Sequence, residues 1–236
     1  MIFDTHAHYD DEAYEEDRED ILKLIRQDGV GLVTDVGATI ASTKKAVALS
    51  EQYDFIYAAI GVHPEGVEEL TNQDMDWLCE LAKREKVVAI GEIGLDYYYE
   101  DPKRDIQKIW FRKQLEVARK TGLPVVIHSR DAAQDTLDII KEEHGEQIGG
   151  VIHCFSYAKE MAREYLDMGL YLGIGGVVTF KNAKKLKEVV EYAPLDQIVL
   201  ETDSPYLSPE PNRGKRNDSR NLVYVAREIA RIKGVT

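Results

Sequence analysis

The sequence is poor in the features that stabilise secreted or membrane proteins. It has two cysteines among 236 residues, Cys79 within a helical pattern and Cys154 at the end of a strand-like run. Two thiols so placed provide no disulfide framework and favour a reducing compartment. No apolar run approaches the ~20 residues of a membrane helix, and the N-terminus lacks the basic segment and apolar stretch of a signal peptide. We therefore expect a soluble, cytoplasmic chain without a membrane partner.

Positive charge is also scarce. Lys and Arg total 30 against 43 Asp and Glu, which gives a formal net charge of −13. Such a chain has no general attraction to nucleic acid or to an anionic membrane. A polyanionic substrate would therefore need a local source of positive charge, and bound metal ions are one such source.

Short apolar runs alternate with longer amphipathic ones along the whole chain. The longer runs repeat apolar residues every three or four positions and predict helices, as at 18–27, 42–52, 105–120 and 183–193. The predicted strands are 2–8, 30–37, 55–63, 87–94, 123–129, 149–154, 170–176 and 197–202. Eight strands alternating with eight helices predict an α/β fold of one domain over residues 1–236, a (β/α)8 TIM barrel. An open doubly wound sheet is the alternative, but no Gly-rich fingerprint follows the first strand.

Five of the six histidines fall at the carboxyl ends of predicted strands, where (β/α)8 barrels place their active sites. The five are His6 and His8 on the first strand, His63 on the third, His128 on the fifth and His153 on the sixth. Because the side chains of a strand alternate between its faces, His6 and His8 share one face. That face must be the barrel mouth, since an outward pair would lie beneath a helix.

Two carboxylates join these imidazoles. Glu92 interrupts the fourth strand, and Asp203 follows the eighth. Taken alone, Glu92 can be a structural hydrogen-bond partner and Asp203 a helix N-cap. Together with four of the imidazoles they form a set that can hold two divalent cations, and crowding such groups without a counter-charge would be costly. Imidazole nitrogens favour zinc, manganese, nickel or iron, whereas magnesium prefers oxygen ligands.

Six ordered motifs resemble those of the TatD-type metal-dependent deoxyribonucleases, which belong to the amidohydrolase-like superfamily. They are HAH at 6–8, GVHP at 61–64, GEIGLDYY at 91–98, PVVIHSRDA at 124–132, VIHCFS at 151–156 and ETDSPYL at 201–207. The resemblance covers nearly the whole chain, although the family usually continues past the last helix here with a further short helical segment. It implies a (β/α)8 barrel, two divalent metal cations and hydrolysis of phosphodiester bonds in DNA.

The resemblance also implies a ligand set. One cation would be held by His6, His8 and Asp203 and the other by His128 and His153, with Glu92 shared between them. In many two-metal relatives of the wider superfamily a carboxylated lysine on the fourth strand bridges the ions. Glu92 stands in that place here, which fits the TatD branch.

The expected mechanism uses a water held as hydroxide between the two cations, with Asp203 accepting its proton. His63, outside the ligand set, would contact a phosphate oxygen or the leaving group. Arg130 and the basic loop at 208–220, above all Arg213, would contact phosphates flanking the scissile bond. The tyrosines at 97–99 either stack on bases or pack against their neighbours. We expect a monomeric enzyme acting on DNA that is single-stranded or at an end.

Two other functions remain open at this point. A small-molecule or aminoacyl-ester hydrolase, acting for example on transfer RNA, would use the same cations on carbon instead of phosphorus, and a non-catalytic scaffold would use none of this chemistry. The basic loop favours a polyanion, and the intact ligand set argues against a scaffold. Asp4 and Glu201, two residues before His6 and Asp203, can orient a ligand imidazole or form a buried salt bridge.

Overall fold

The computed structural model describes residues 1–235 and shows eight parallel strands paired in chain order. The strands are β1 (Ile2–Ala7), β2 (Val30–Val36), β3 (Ile56–Ile60), β4 (Val87–Asp96), β5 (Val125–Arg130), β6 (Gly150–Ile152), β7 (Tyr171–Ile174) and β8 (Ile198–Leu200). All eight lie in a single sheet, and every sequential neighbour pair is parallel. Each strand is therefore followed by a crossover that returns the chain to the same end of the sheet.

The sheet closes on itself between β1 and the segment after β8. Ala7 forms a parallel bridge with Ser204, and the Ser204 carbonyl accepts a hydrogen bond of 2.7 Å from the His8 backbone N–H. The His6 carbonyl accepts from the backbone N–H of Asp203 at 2.9 Å. The (β/α)8 barrel is thus confirmed, and the open doubly wound alternative is excluded.

The helices surround this barrel. They are α1 (Arg18–Gln27), α2 (Ile40–Gln52), α3 (Asn72–Leu81), α4 (Arg104–Thr121), α5 (Ala133–Glu142), α6 (Gly145–Ile148), α7 (Lys159–Asp167), α8 (Lys184–Tyr192) and α9 (Leu222–Lys233). Within residues 1–235 this is one more than predicted, because the four-residue α6 precedes β6. None of these helices combines the length and the apolar character that crossing a membrane requires.

Six of the predicted strands end one to three residues earlier than expected, and β3 and β6 are two whose shortening places a histidine in the following loop. β3 stops at Ile60, and His63 instead caps a 3-10 turn at Pro64–Glu69, where its Nδ1 accepts from the Glu65 N–H. β6 stops at Ile152, and His153 follows it directly. Both imidazoles still lie on the carboxyl side of the barrel, so the shortening does not move them away from the mouth.

Helix α4 fixes two of the loops that carry polar side chains to the mouth. Two glutamines on its buried face, Gln107 and Gln114, are at most 1% exposed. Gln114 accepts a hydrogen bond from the Val62 N–H at 2.8 Å and donates to the Val62 carbonyl at 3.0 Å. Gln107 makes the equivalent pair with Asp96, both at 2.8 Å. The backbone beyond β3 and the end of β4 therefore have a side-chain partner for both of their polar groups.

We predict that Gln114→Met lowers the free energy of unfolding by about 2–4 kcal/mol, because the buried N–H and C=O of Val62 would each lose their partner. Urea denaturation of the metal-free chain measures this. Gln134→Met is the matched control, since Gln134 is exposed and donates only to Asp138 on the same helix. Equal stability of the two variants would show that the hydrogen bonds between Gln114 and Val62 do not stabilise the fold.

Candidate metal centre

The six predicted ligands converge at the carboxyl end of the barrel. His6 lies on the inner face of β1, and His8 lies just beyond the end of that strand. Their Nε2 atoms are 3.1 Å apart. The His8 ring is oriented by the Val36 carbonyl, 2.7 Å from its Nδ1. The alternation of side chains along the first strand therefore directs two nitrogens to one point, as the sequence predicts.

Glu92 lies at the centre of the cluster, and its two oxygens face different imidazoles. Its Oε1 is 2.8 Å from His128 Nδ1 and 3.3 Å from His153 Nε2. Its Oε2 is 3.4 Å from His6 Nε2 and 3.7 Å from His8 Nε2. One carboxylate thus lies between the imidazoles of His6 and His8 and those of His128 and His153. His63, Glu92 and His128 form another group able to hold a metal ion.

Asp203 completes the set on the His6 and His8 side. Its Oδ1 is 3.4 Å from His8 Nε2 and 3.7 Å from His6 Nε2. The residue has a left-handed backbone, with φ of 56°, a conformation that aspartate tolerates better than most residues. The chain turns at this point, three residues after the end of β8, and the turn directs the carboxylate into the mouth.

The separations between the candidate ligand atoms of His6, His8 and Asp203 fit a bound cation. A divalent ion about 2.1 Å from each ligand atom holds neighbouring ligand atoms roughly 3.0–3.4 Å apart. The His6, His8 and Asp203 atoms are 3.1–3.7 Å from one another, and they form one of the groups able to hold a metal ion. The chemistry of the donors, nitrogen with carboxylate oxygen, also suits a divalent transition metal.

The charges of the buried carboxylates are balanced by the imidazoles around them. Burial alone would raise the pKa of Glu92, but His153, His6, His63 and the hydrogen bond from His128 hold it well below its usual range. Burial alone would lower the pKa of His8, but the hydrogen bond to Asp203 and the surrounding carboxylates raise it to about 10. Protons on His8, His128 and His153, whose pKa values are raised, therefore supply positive charge that a cation would otherwise supply. Burial instead lowers the pKa of His6 and lowers that of His63 to about 3.

The three predicted substrate-binding residues are not equally close to this centre. His63 has its Nε2 3.8 Å from Glu92 Oε1, and Arg130 lines the mouth with its guanidinium 3.7 Å from the centroid of the Tyr98 ring. Arg213 does not line the cavity, and its guanidinium lies 4.2 Å from the centroid of the Phe180 ring. Its role toward substrate stays a prediction.

Other cations of the basic loop are engaged with nearby carboxylates. Arg216 donates two hydrogen bonds to Asp17, and Arg220 pairs with Asp218. Within the described residues, Arg130 is the only Arg or Lys that lines the mouth, a cavity of about 610 Å³. The loop therefore contributes less positive charge to the mouth than its sequence suggests.

The mouth also contains acidic and aromatic residues that the sequence pattern did not mark as site residues. They are Asp10, Asp11, Glu65, Asp96 and Tyr206. Asp96 was accessible to the same alternation argument as His6 and His8, because it follows Glu92 by four residues on one strand. Its Oδ2 is 2.9 Å from His128 Nε2.

Of the two residues considered as partners of ligand imidazoles, only Glu201 faces one. Its Oε1 lies 3.4 Å from His153 Nδ1 and accepts from the Cys154 N–H at 2.6 Å. Gly173 makes room for it, since a Cβ there would lie 2.1 Å from Glu201 Oε2. Asp4 instead accepts from the hydroxyls of Thr202 and Ser219, and so ties β1 to the segment after β8.

A closed (β/α)8 barrel with a cluster of histidines and carboxylates at the carboxyl ends of its strands is an arrangement typical of metal-dependent hydrolases. Comparison with known proteins agrees with this class. The family model described as TatD related DNase matches residues 3–236. The chain therefore belongs to the TatD-related DNase family of metal-dependent hydrolases.

Individual relatives span almost the whole chain. The uncharacterized metal-dependent hydrolase YabD of Bacillus subtilis strain 168 is 48% identical over 236 residues, covering 100% of this chain and 92% of YabD. The corresponding protein YcfH of Escherichia coli K12 is 38% identical, with coverage of 100% and 89%. The crystal structure of the TatD homologue YjjV from Escherichia coli K12 superposes with a TM-score of 0.91 at 31% identity, over 98% of this chain and 90% of YjjV.

We predict that zinc or manganese stabilises the metal-free chain and that Glu92→Gln removes most of this effect. A cation at 100 times its dissociation constant adds about 2.7 kcal/mol, which raises the melting temperature of a chain of this size by roughly 5–11 °C. The variant should show a much smaller rise in melting temperature, because an amide lacks the negative charge that would bind a cation beside either pair of imidazoles. Thermal melting with and without cation measures the difference.

The matched control is Glu164→Gln, a surface residue paired with Lys141. It should melt with the full cation-dependent rise. An undiminished rise in Glu92→Gln would show that Glu92 is not a ligand.

Proposed function

We propose that this chain is a deoxyribonuclease that hydrolyses phosphodiester bonds with the help of two divalent cations. The observation that carries the proposal is the position of Glu92, whose two oxygens face two separate pairs of imidazole nitrogens. The family description, TatD related DNase, supports DNA as the substrate. The free cysteines support a reducing, cytoplasmic location, and we propose that the enzyme acts as a monomer.

In this proposal His6, His8 and Asp203 hold one cation, His128 and His153 hold the other, and Glu92 serves both. When bound, the cations would activate a water molecule and neutralise the charge that develops on the phosphate oxygens. Because four of the six ligands are imidazoles, zinc, manganese or nickel should bind more tightly than magnesium.

The protein's own groups supply the proton transfers. Asp203 lines the cavity and, although burial alone would raise its pKa, the hydrogen bond from His8 and the neighbouring imidazoles lower it. The lowered pKa keeps the Asp203 carboxylate ionised. In this proposal its position beside the water would let it accept the proton. His63 accepts a backbone N–H at its Nδ1, so its ring hydrogen lies on Nε2, which is free to donate to a phosphate oxygen.

The shape and charge of the mouth support an unpaired or terminal stretch of DNA as the substrate. A cavity of about 610 Å³ lies within the range of small-molecule sites, so a terminal or unpaired nucleotide would suit it better than a base-paired segment. Asp10, Asp11 and Glu65 would repel phosphates that are not close to a cation or to Arg130. Arg130 would contact the phosphate next to the scissile bond, and Arg213 a phosphate further along the strand. Tyr99 also lines the cavity, where it can stack on a base.

An ester hydrolase is the second candidate, and the acidic mouth is the observation that favours it. With one arginine among its lining residues, the cavity suits a substrate less anionic than DNA. Parallel assays of labelled single-stranded DNA and of aminoacyl esters with the same metal-loaded protein separate the two functions. Turnover of the esters without turnover of DNA would replace the deoxyribonuclease proposal.

We predict that Asp203→Asn lowers the rate of single-stranded DNA hydrolysis by about 10²–10⁴-fold, the contribution of a general base. The amide keeps the shape of the side chain but cannot accept the proton from water. The assay follows release of labelled nucleotides, with metal content measured on the same samples. Asp196→Asn, an exposed aspartate just before β8, is the control and should retain full activity. Full activity of Asp203→Asn with both cations bound would exclude the assigned role.

We predict that Arg130→Ala weakens DNA binding and lowers the slope of log affinity against log salt by about 0.7, the value for one contact with a single strand. Binding is measured by fluorescence anisotropy over a salt series. Arg213→Ala should show the same change with a long oligonucleotide but not with a dinucleotide, because Arg213 lies outside the cavity. Arg163→Ala, on the surface of α7, controls for general charge loss, and a slope reduced equally there would contradict a specific contact.

A further inference from the structure

We propose that Asp96 is a positioning residue for the metal centre: it fixes His128 so that Nδ1 faces Glu92, and thereby sets the affinity of the second cation. The inference rests on the proposed function, in which Glu92, His128 and His153 hold that cation. It concerns a residue outside that proposed ligand set.

His128 lies between two carboxylates. Its Nδ1 is 2.8 Å from Glu92 Oε1, and its Nε2 is 2.9 Å from Asp96 Oδ2. An imidazole binds a cation only through a nitrogen that carries no hydrogen. Both nitrogens of His128 face a carboxylate in the metal-free chain. A cation beside Glu92 would take the place of the hydrogen on Nδ1, and the Asp96 carboxylate would keep the remaining ring hydrogen on Nε2. Asp96 thus selects which nitrogen of His128 is the ligand.

Asp96 is itself held in place on every side. It is 2% exposed, and its Oδ1 accepts from the Tyr98 N–H at 2.9 Å. Gln107 on α4 bonds both the N–H and the C=O of Asp96 at 2.8 Å. The register of the sheet pairs Gly94 with His128 and Asp96 with Arg130. The distance from Asp96 to the imidazole is therefore set by the backbone of two neighbouring strands and by a helix.

The first cation position does not depend on this residue. The His8 ring is oriented by the Val36 backbone carbonyl, 2.7 Å from its Nδ1. At the second position, His153 Nδ1 has Glu201 Oε1 at the longer distance of 3.4 Å. The shortest orienting contact at the second position is consequently the one from Asp96 to His128, and its loss should affect the two cations unequally.

Asp96→Asn tests this, because the change reverses the hydrogen-bond direction with little change in shape. The Tyr98 N–H requires an acceptor, so the side-chain oxygen stays beside it and the NH2 turns toward His128 Nε2. The ring hydrogen must then move to Nδ1, where it blocks the cation. Isothermal titration of the metal-free protein with zinc measures the two equivalents separately. We expect an unchanged first equivalent and a second one weakened by about 10–100-fold.

Two further variants complete the test. Asp135→Asn, whose carboxylate accepts from the Tyr97 hydroxyl and pairs with Lys108, should bind both equivalents as the wild type does. Gln107→Met loosens the backbone of Asp96. It should also weaken the second zinc equivalent selectively, by a smaller factor than Asp96→Asn does. This variant also serves as the test if Asp96→Asn does not fold.

The outcomes are distinguishable. If Asp96→Asn binds two equivalents of zinc with unchanged affinity, the positioning role of Asp96 is overturned and the two-cation function is not. Parallel weakening of both equivalents, together with a lower melting temperature of the metal-free variant, would assign Asp96 a general structural role and also overturn it. A wild-type chain that binds one equivalent would overturn the two-cation function itself.

Discussion

The structure depends on the placement of one carboxylate among five imidazoles. Glu92 is 3% exposed. Five imidazoles each have a nitrogen within 3.8 Å of one of its oxygens, namely those of His6, His8, His63, His128 and His153. A buried charge of this kind is unfavourable unless opposite charge accompanies it. In the metal-free chain, protons on His8, His128 and His153 supply that charge, and a bound cation would replace some of these protons. The crowding that is costly without a cation therefore favours binding one. Close approach of the strands is part of the arrangement, because a Cβ at Gly91 would lie 2.5 Å from the Val126 Cβ.

The barrel supplies the scaffold for this cluster without taking part in its chemistry. Parallel strands with helical crossovers bring residues from positions 6 to 203 to one rim, and closure through Ala7 and Ser204 brings the two ends of the sequence together. Polar side chains then orient the rim from behind: Gln107 and Gln114 hold backbone groups, and Asp96 and Glu201 face ligand imidazoles. In the proposed function, this outer layer would set the geometry of the metal centre, and Glu92 and Asp203 would supply its reactivity.

Periodicity in the sequence was enough to predict the barrel and to place the six candidate ligands at one end of it. The alternation of side chains along a strand places His6 with His8, and the position of Glu92 within a buried strand marks it as unusual. Features set by tertiary contacts were less accessible. The ends of β3 and β6 depend on the turns that follow them, the short α6 has no periodic signal, and Arg213 and Arg216 have partners distant in sequence, Phe180 and Asp17. A basic loop in the sequence therefore did not translate into a basic rim.

Anomalous diffraction from crystals grown with manganese would show whether two cations share Glu92. If they do, two anomalous peaks should lie about 3.5–4 Å apart, one beside His6, His8 and Asp203 and the other beside His128 and His153, with an oxygen of Glu92 next to each. A single peak, or two peaks of which either lies away from Glu92, would rule out the sharing.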